Sequence, residues 1–380
     1  MSAFSIYLKQ LLSADLASPE LPDSYRADAV AEASRVWRET IVKRALVRRR
    51  VLLVGGGGYI GVPLAQHLLA AGYDVLNTDW SVYGHTMAAV SLLGQARYEF
   101  KRIDFTQTQA IEDILQSVTD VIILGGLVGD PITKKYPAES EATNGFGIRR
   151  LIDACSGRGL NKVIFISTCS NYGEIPQGAL ADEDYELKPL SLYAQAKVAQ
   201  ELHLKSIDVD FHWTVLRFAT AFGLAPRMRF DLTVNQFTRE LFLQLPLEVY
   251  DADTWRPYCH VRDFARALTR VLEAPLAAVD RRVFNAGGDA NNFTKSMIAE
   301  AIKRRLPGAT YSIVQGGTDR RNYKVNFARI KNTLYFEPHY SVEDGIDEIL
   351  GALQLGYFAD YDANRDYYGN FALSYPVTVG

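Results

Sequence analysis

Val51-Leu52-Leu53-Val54-Gly55-Gly56-Gly57-Gly58-Tyr59-Ile60-Gly61 decides the fold. Four apolar residues run without a polar break straight into a glycine cluster, and a helical pattern follows over Tyr59–Ala71. Strands buried on both faces read as continuous apolar runs, because neither side of the sheet meets water. Gly55, Gly58 and Gly61 have the spacing G-x-x-G-x-x-G. In a strand–turn–helix context the first glycine permits the tight turn and the second lets backbone approach a pyrophosphate. The third lets helix and strand pack closely, and the helix N-terminus supplies N–H donors and partial positive charge. Tyr59 and Ile60 complete this loop.

Working outward, Val75–Thr78, Val121–Leu124, Val163–Ser167 and Trp213–Phe218 read as further buried strands. Ile111–Ser117, Glu141–Ser156 and Leu192–Ser206 read as helices between them. This alternation predicts an α/β fold, a Rossmann-type doubly wound parallel sheet. Residues 50–223 are expected to form this dinucleotide-binding domain. Residues 224–380 are expected to form a smaller α/β substrate-binding lobe, ending in an aromatic tail from Tyr357 that packs on its own domain. Residues 1–49 read as a helical extension, with Val30, Ala33, Trp37, Ile41 and Ala45 at helical spacing.

Composition narrows the function classes. Of 380 residues, 48% are hydrophobic and 22% charged, and the net charge is 41 − 44 = −3. That balance gives no basic bias toward nucleic acid. The apolar runs are too short to span a bilayer, and the N-terminus lacks the basic start and apolar core of a signal peptide, so a cytoplasmic protein is expected. Cys155, Cys169 and Cys259 form no C-x-x-C pair, and no H-E-x-x-H occurs, so neither a disulfide framework nor a metal site is expected.

Asp79 ends the second strand. A carboxylate there accepts hydrogen bonds from a ribose 2′-hydroxyl and repels a 2′-phosphate, which favours NAD over NADP. Tyr193-Ala194-Gln195-Ala196-Lys197 places a phenol and an ammonium on one helix face, where the cation is expected to lower the phenol pKa for acid–base work. Ile166-Ser167-Thr168-Cys169-Ser170-Asn171-Tyr172-Gly173 follows a buried strand, where loops line a site at the carboxyl edge of a parallel sheet.

Together, the glycine loop, Asp79, the Thr168 segment and Tyr193-x-x-x-Lys197 resemble the extended short-chain dehydrogenase/reductase family, in its nucleotide-sugar epimerase and dehydratase branch that includes UDP-galactose 4-epimerase. The resemblance covers about residues 50–350. It implies Thr168, Tyr193 and Lys197 as catalytic residues. Asp104 and Phe105, Gly125-Gly126-Leu127 and Asn144 are implied around the cofactor, NAD. Thr220, Asn235, Arg256 and Arg320, the last beside Arg321, are implied around a nucleotide-sugar, and a homodimer is the usual assembly. Two departures matter. The dehydratase branch carries an Asp-Glu pair after the catalytic Thr, where this chain has Cys169 and Ser170. The asparagine usual in the Arg217-Phe218-Ala219-Thr220 segment is Thr220. The expected activity is therefore NAD-dependent epimerisation of a nucleotide-sugar at C4. The alternatives are a 4-ketoreductase or dehydrogenase with the same site, or a non-catalytic dinucleotide-binding sensor or scaffold.

The apolar stripe around Trp37 needs cover. Deleting residues 1–49 should therefore lower the melting temperature or change the solution mass; identical values would show that the extension packs on nothing.

Overall fold

The computed structural model describes residues 49–317 and 319–374; the 1–49 extension, apart from Arg49, lies outside them. The seven-stranded sheet contains β1 (Arg50–Val54), β2 (Asp74–Asp79), β3 (Tyr98–Arg102), β4 (Asp120–Ile123), β5 (Lys162–Thr168) and β6 (His212–Phe218). Three short strands follow, β7 (Thr220–Phe222), β8 (Glu248–Tyr250) and β9 (Trp255–His260). After them come β10 (Arg282–Ala286), β11 (Asn292–Thr294) and β12 (Ser312–Val314). The sheet order is β3-β2-β1-β4-β5-β6-β10, with every pairing parallel. It is a Rossmann-type sheet whose order reverses between β1 and β4, and the crevice at that switch point is where such sheets take ligands.

The apolar runs split between two layers as strand alternation requires. Val51 and Leu53 enter one core cluster, with Val62, Leu64 and Leu68 of the Gly61–Ala70 helix. Leu52 and Val54 enter another, with Ile148, Leu151 and Ile152. β3 was not read from the sequence: Tyr-Glu-Phe-Lys-Arg at the sheet edge is half-exposed, so its pattern lacks the apolar continuity of the central strands. The Leu192–Ser206 helix has the bounds read from the sequence. The helix expected at Glu141–Ser156 opens instead with a π-helical turn, Glu141–Gly147.

Residue 223 is not a break in the sheet, because β10 returns from the later segment to pair with β6. The remainder of that segment builds a second layer. β11-β9-β7 form one small sheet and β12-β8 another, with a core of their own around Phe222, Val249, Ile298, Ile302 and Ile346. The Val261–Glu273 helix joins the halves: Lys162 Nζ on β5 donates to its terminal carbonyls at Val271 and Leu272, each 2.9 Å away. The tail packs on its own chain, as expected. Phe358, Tyr361 and Tyr368 surround Phe230, and Arg239 lies 3.5 Å from the Tyr361 ring centre.

Candidate active site

One cleft collects the glycine loop, the ends of β2, β4, β5 and β6, the Tyr193–Lys197 face and part of the second lobe. At its floor Gly55 has φ +78°, and an added Cβ would stand 2.4 Å from Gly125 Cα. A Cβ on Gly61 would stand 2.4 Å from Gly56 Cα, whereas one on Gly58 would meet nothing closer than 3.6 Å. The outer glycines are thus required by packing and the middle one leaves room above the loop. The Gly61–Ala70 helix starts behind it with no side-chain cap on Ile60 and no acid in its first turn, so its N-terminus keeps its positive character for a ligand.

Asp79 accepts from Gly57 N (2.9 Å) and Ser81 N (2.7 Å), and His85 Nε2 lies 3.3 Å away. Burial opposes its charge, but His85 and the two N–H groups outweigh that and hold the carboxyl below its usual range. Asp104, Phe105, Gly125, Gly126 and Leu127 line the same cleft. Asn144 does not. It sits behind, 1% exposed, with Oδ1 accepting from Leu127 N (2.8 Å) and Nδ2 donating to Leu127 O (2.9 Å). Its role is to fix the backbone that faces the ligand. Several cleft-wall atoms are buried without a protein partner among the described residues, namely Trp80 Nε1, Tyr83 OH, Arg227 Nε and Asn370 Oδ1. A wall with unpartnered donors and one unpartnered acceptor, an uncapped helix end and a carboxylate at the end of β2 fits a dinucleotide.

Thr168, Tyr193 and Lys197 meet at the other end of the cleft. Thr168 Oγ1 accepts from Ser170 N (3.1 Å) and keeps its own proton to donate. Lys197 Nζ donates to Ile166 O (2.7 Å) and lies 4.7 Å from the Phe165 ring centre and 5.8 Å from that of Tyr193. Burial pushes its pKa down to about 7. Burial also pushes the Tyr193 phenol above its ordinary value, with Arg229 and Arg321 pulling against that. The expectation that Lys197 lowers the phenol pKa therefore needs correction: in this geometry the opposing cations are arginines of the second lobe.

Among the residues expected around substrate, Thr220 lines the cleft. Asn235 does not, because its amide is spent on Gly223 N (3.1 Å), Tyr59 OH (2.9 Å) and Arg229 O (2.9 Å). Arg320 points outward, its side chain 79% exposed, and the neighbouring Arg321 lines the cleft instead. Arg321 pairs with Asp319 (2.8 Å) and Asp130 (3.0 Å); Arg256 stands behind it, 3.1 Å from Asp319. Sequence reasoning missed Arg227, Arg229, Tyr83 and His85, and also the support beneath the site. Arg217 and Glu201 form a buried pair at 2.7 Å, each 1% exposed. Glu201 continues the i, i+4 face of Tyr193 and Lys197, and Arg217 interrupts an apolar strand; those two signals could have revealed the pair. Among the described residues no cluster of His, Cys, Asp and Glu could hold a metal, and no helix is long and apolar enough to cross a membrane.

The profile of the NAD dependent epimerase/dehydratase family matches residues 51–287. The chain is 26% identical over 319 residues to a dTDP-glucose 4,6-dehydratase of Streptomyces niveus, covering 79% of this chain and 91% of that one. It is 25% identical over 322 residues to a UDP-glucose 4-epimerase of Lacticaseibacillus casei, covering 79% and 94%. Its fold resembles that of a UDP-glucuronic acid 4-epimerase from Bacillus cereus, solved with UDP-glucuronic acid and NAD. The TM-score is 0.71 at 23% identity, covering 81% of this chain and 100% of that one.

Glu201→Gln leaves the buried Arg217 guanidinium without its counter-charge and should cost about 3–5 kcal/mol in urea unfolding; a loss below about 1 kcal/mol would show the pair to be dispensable. Lys197 has a folded pKa near 7, below its unfolded value of 10.5. The unfolded chain therefore binds more protons between those values, and the penalty for burying the ammonium is full below about pH 7 and fades toward pH 10. The melting temperature of Lys197→Met minus that of the parent should accordingly fall from pH 6.5 to pH 10; a constant difference would refute the depressed pKa.

Proposed function

The chain belongs to the NAD-dependent epimerase/dehydratase family, and on that premise we propose that it epimerises a nucleotide-sugar at C4, using Tyr193, Lys197 and Thr168. NAD, when bound, supplies a reversible hydride acceptor. Gly55, Gly58, Gly61 and Asp79 are the residues that would hold it, with Leu127 kept in place by Asn144. Tyr193 takes the proton of the sugar hydroxyl and later returns it. Thr168 donates a hydrogen bond to the same oxygen and stabilises charge that develops there. Lys197 lies beside the tyrosine ring, and Arg229 and Arg321 favour its phenolate. Thr220 lies along the sugar's path, and Arg321, backed by Arg256, has a planar fork that suits a diphosphate once it gives up part of its hold on Asp319.

The observation that carries epimerisation over dehydration is the environment of the two residues after Thr168. Removal of water needs an acid beside the departing hydroxyl. Cys169 turns into the core, where its thiol donates to Arg217 O (3.2 Å) and burial pushes its pKa well up. Ser170 Oγ is engaged 3.1 Å from Tyr323 OH. Neither can serve as that acid.

Mass-resolved chromatography of a nucleotide-sugar panel, without added cofactor and then with NADH, tests the reading. An isomer of unchanged mass formed without added cofactor is expected. A product heavier by two hydrogens, formed only when NADH and a keto-sugar are both supplied, would make the protein a ketoreductase, and a product lighter by one water would overturn the reading of Cys169 and Ser170. Tyr193→Phe should lower turnover by about 10²–10⁴-fold. Full turnover in that variant would remove Tyr193 from the acid–base role.

A further inference from the structure

Three arginines line the cleft, and two are neutralised: Arg229 by Asp231 (2.5 Å) and Arg321 by Asp319 and Asp130. The third, Arg227, is 2% exposed and forms no ion pair among the described residues. Its NH2 donates to Gly369 O (3.0 Å), its guanidinium lies 4.8 Å from the Tyr83 ring centre, and its Nε has no partner. Burial and the adjacent Arg229 push its pKa down to about 10, against the pull of Asp231, Tyr83 and Asp79.

Its place along the cleft is informative. Arg227 stands 4.8 Å from the Tyr83 ring centre, the Tyr83 and His85 ring centres are 5.9 Å apart, and His85 Nε2 lies 3.3 Å from Asp79. Arg229 in turn bears on Tyr193. Arg227 is thus linked through Tyr83 and His85 to Asp79, on the wall of the cleft that Tyr193 also lines. The uncapped start of the Gly61–Ala70 helix lines the same cleft.

The chain's end holds Arg227 in this position. Tyr368 O accepts from Phe230 N (2.8 Å) in the second lobe. The strand of backbone then crosses to the dinucleotide half. Asn370 Nδ2 donates to Val128 O (2.7 Å), Lys135 Nζ to Phe371 O (3.0 Å) and Ser374 N to Val82 O (2.8 Å). Asn370 and Leu373 line the cleft, and Asn370 Oδ1 is buried without a partner.

We propose that Arg227 and the 368–374 strap form a second, C-terminal half of the dinucleotide site, in which Arg227 binds the cofactor's pyrophosphate and the strap closes over it. This rests on the NAD reading of the cleft. The same anion chemistry could come from the diphosphate of the substrate, and the experiment separates the two.

NADH release is followed by fluorescence in a stopped-flow chase with excess NAD, and uridine diphosphate binding is titrated in parallel. The full chain, Arg227→Lys, Arg227→Met and a chain ending at Gly369 are compared. Losing one charge-assisted contact should make Arg227→Met release NADH about tenfold faster or more. The shortened chain should behave likewise, Arg227→Lys should fall between, and uridine diphosphate affinity should be unchanged. NADH release at the parent rate in Arg227→Met and in the shortened chain would overturn the proposal. So would weakened uridine diphosphate binding with unchanged NADH release, which would put Arg227 on the substrate. If Arg227→Met does not fold, the shortened chain decides. A full chain that binds no NADH would overturn the cofactor reading itself, which is a different outcome from a variant without effect.

Discussion

The site depends on one buried ion pair. Arg217, in the middle of an apolar strand, and Glu201, on the helix that carries Tyr193 and Lys197, meet in the core with almost no solvent contact. Two charges there are tolerable only when every donor and acceptor is used. Glu201 accepts from Arg217, Ser167 and Asn171, and Arg217 also donates to Tyr172 OH (3.0 Å) and Glu183 O (3.0 Å). These partners come from β5, β6, the turn after β5, the loop at Glu183 and the Leu192–Ser206 helix. The pair therefore sets the position of the helix relative to the end of β5, and so of Tyr193 relative to Thr168. Acid–base catalysis needs its proton donor within hydrogen-bond reach of the reacting oxygen, so that spacing matters.

Above that base, the cleft is lined by one buried guanidinium outside any ion pair among the described residues, Arg227, and by two paired ones, Arg229 and Arg321. The paired ones are already neutralised by Asp231 and Asp319, so an incoming anion must displace or share an existing partner. That arrangement keeps an apolar-walled cleft from paying the full desolvation of bare cations.

The fold was legible because the central strands are buried on both faces, so periodicity alone marked them. The edge strand Tyr98–Arg102 was not, since one exposed side breaks the apolar run. The glycine loop and Asp79 were legible because their chemistry is local: a tight turn, a close approach, a carboxylate at a strand end. Residues whose task depends on distant partners were not. Asn235 looks like a polar residue available to substrate, yet its amide ties Tyr59 to the second lobe. Arg320 and Arg321 are adjacent and chemically identical, and only the loop's path decides which enters the cleft. Arg227 acquires its setting from a tail far away in sequence.

In the proposed reaction the sugar is oxidised and reduced at one carbon, C4, and no carbon-bound hydrogen exchanges with solvent. The decisive measurement is turnover in D2O, with the product's mass read after back-exchange of its hydroxyls. The expected isomer carries no deuterium on carbon, because the hydrogen removed at C4 is the one returned. A product that has gained deuterium on carbon, or lost a molecule of water, would contradict it.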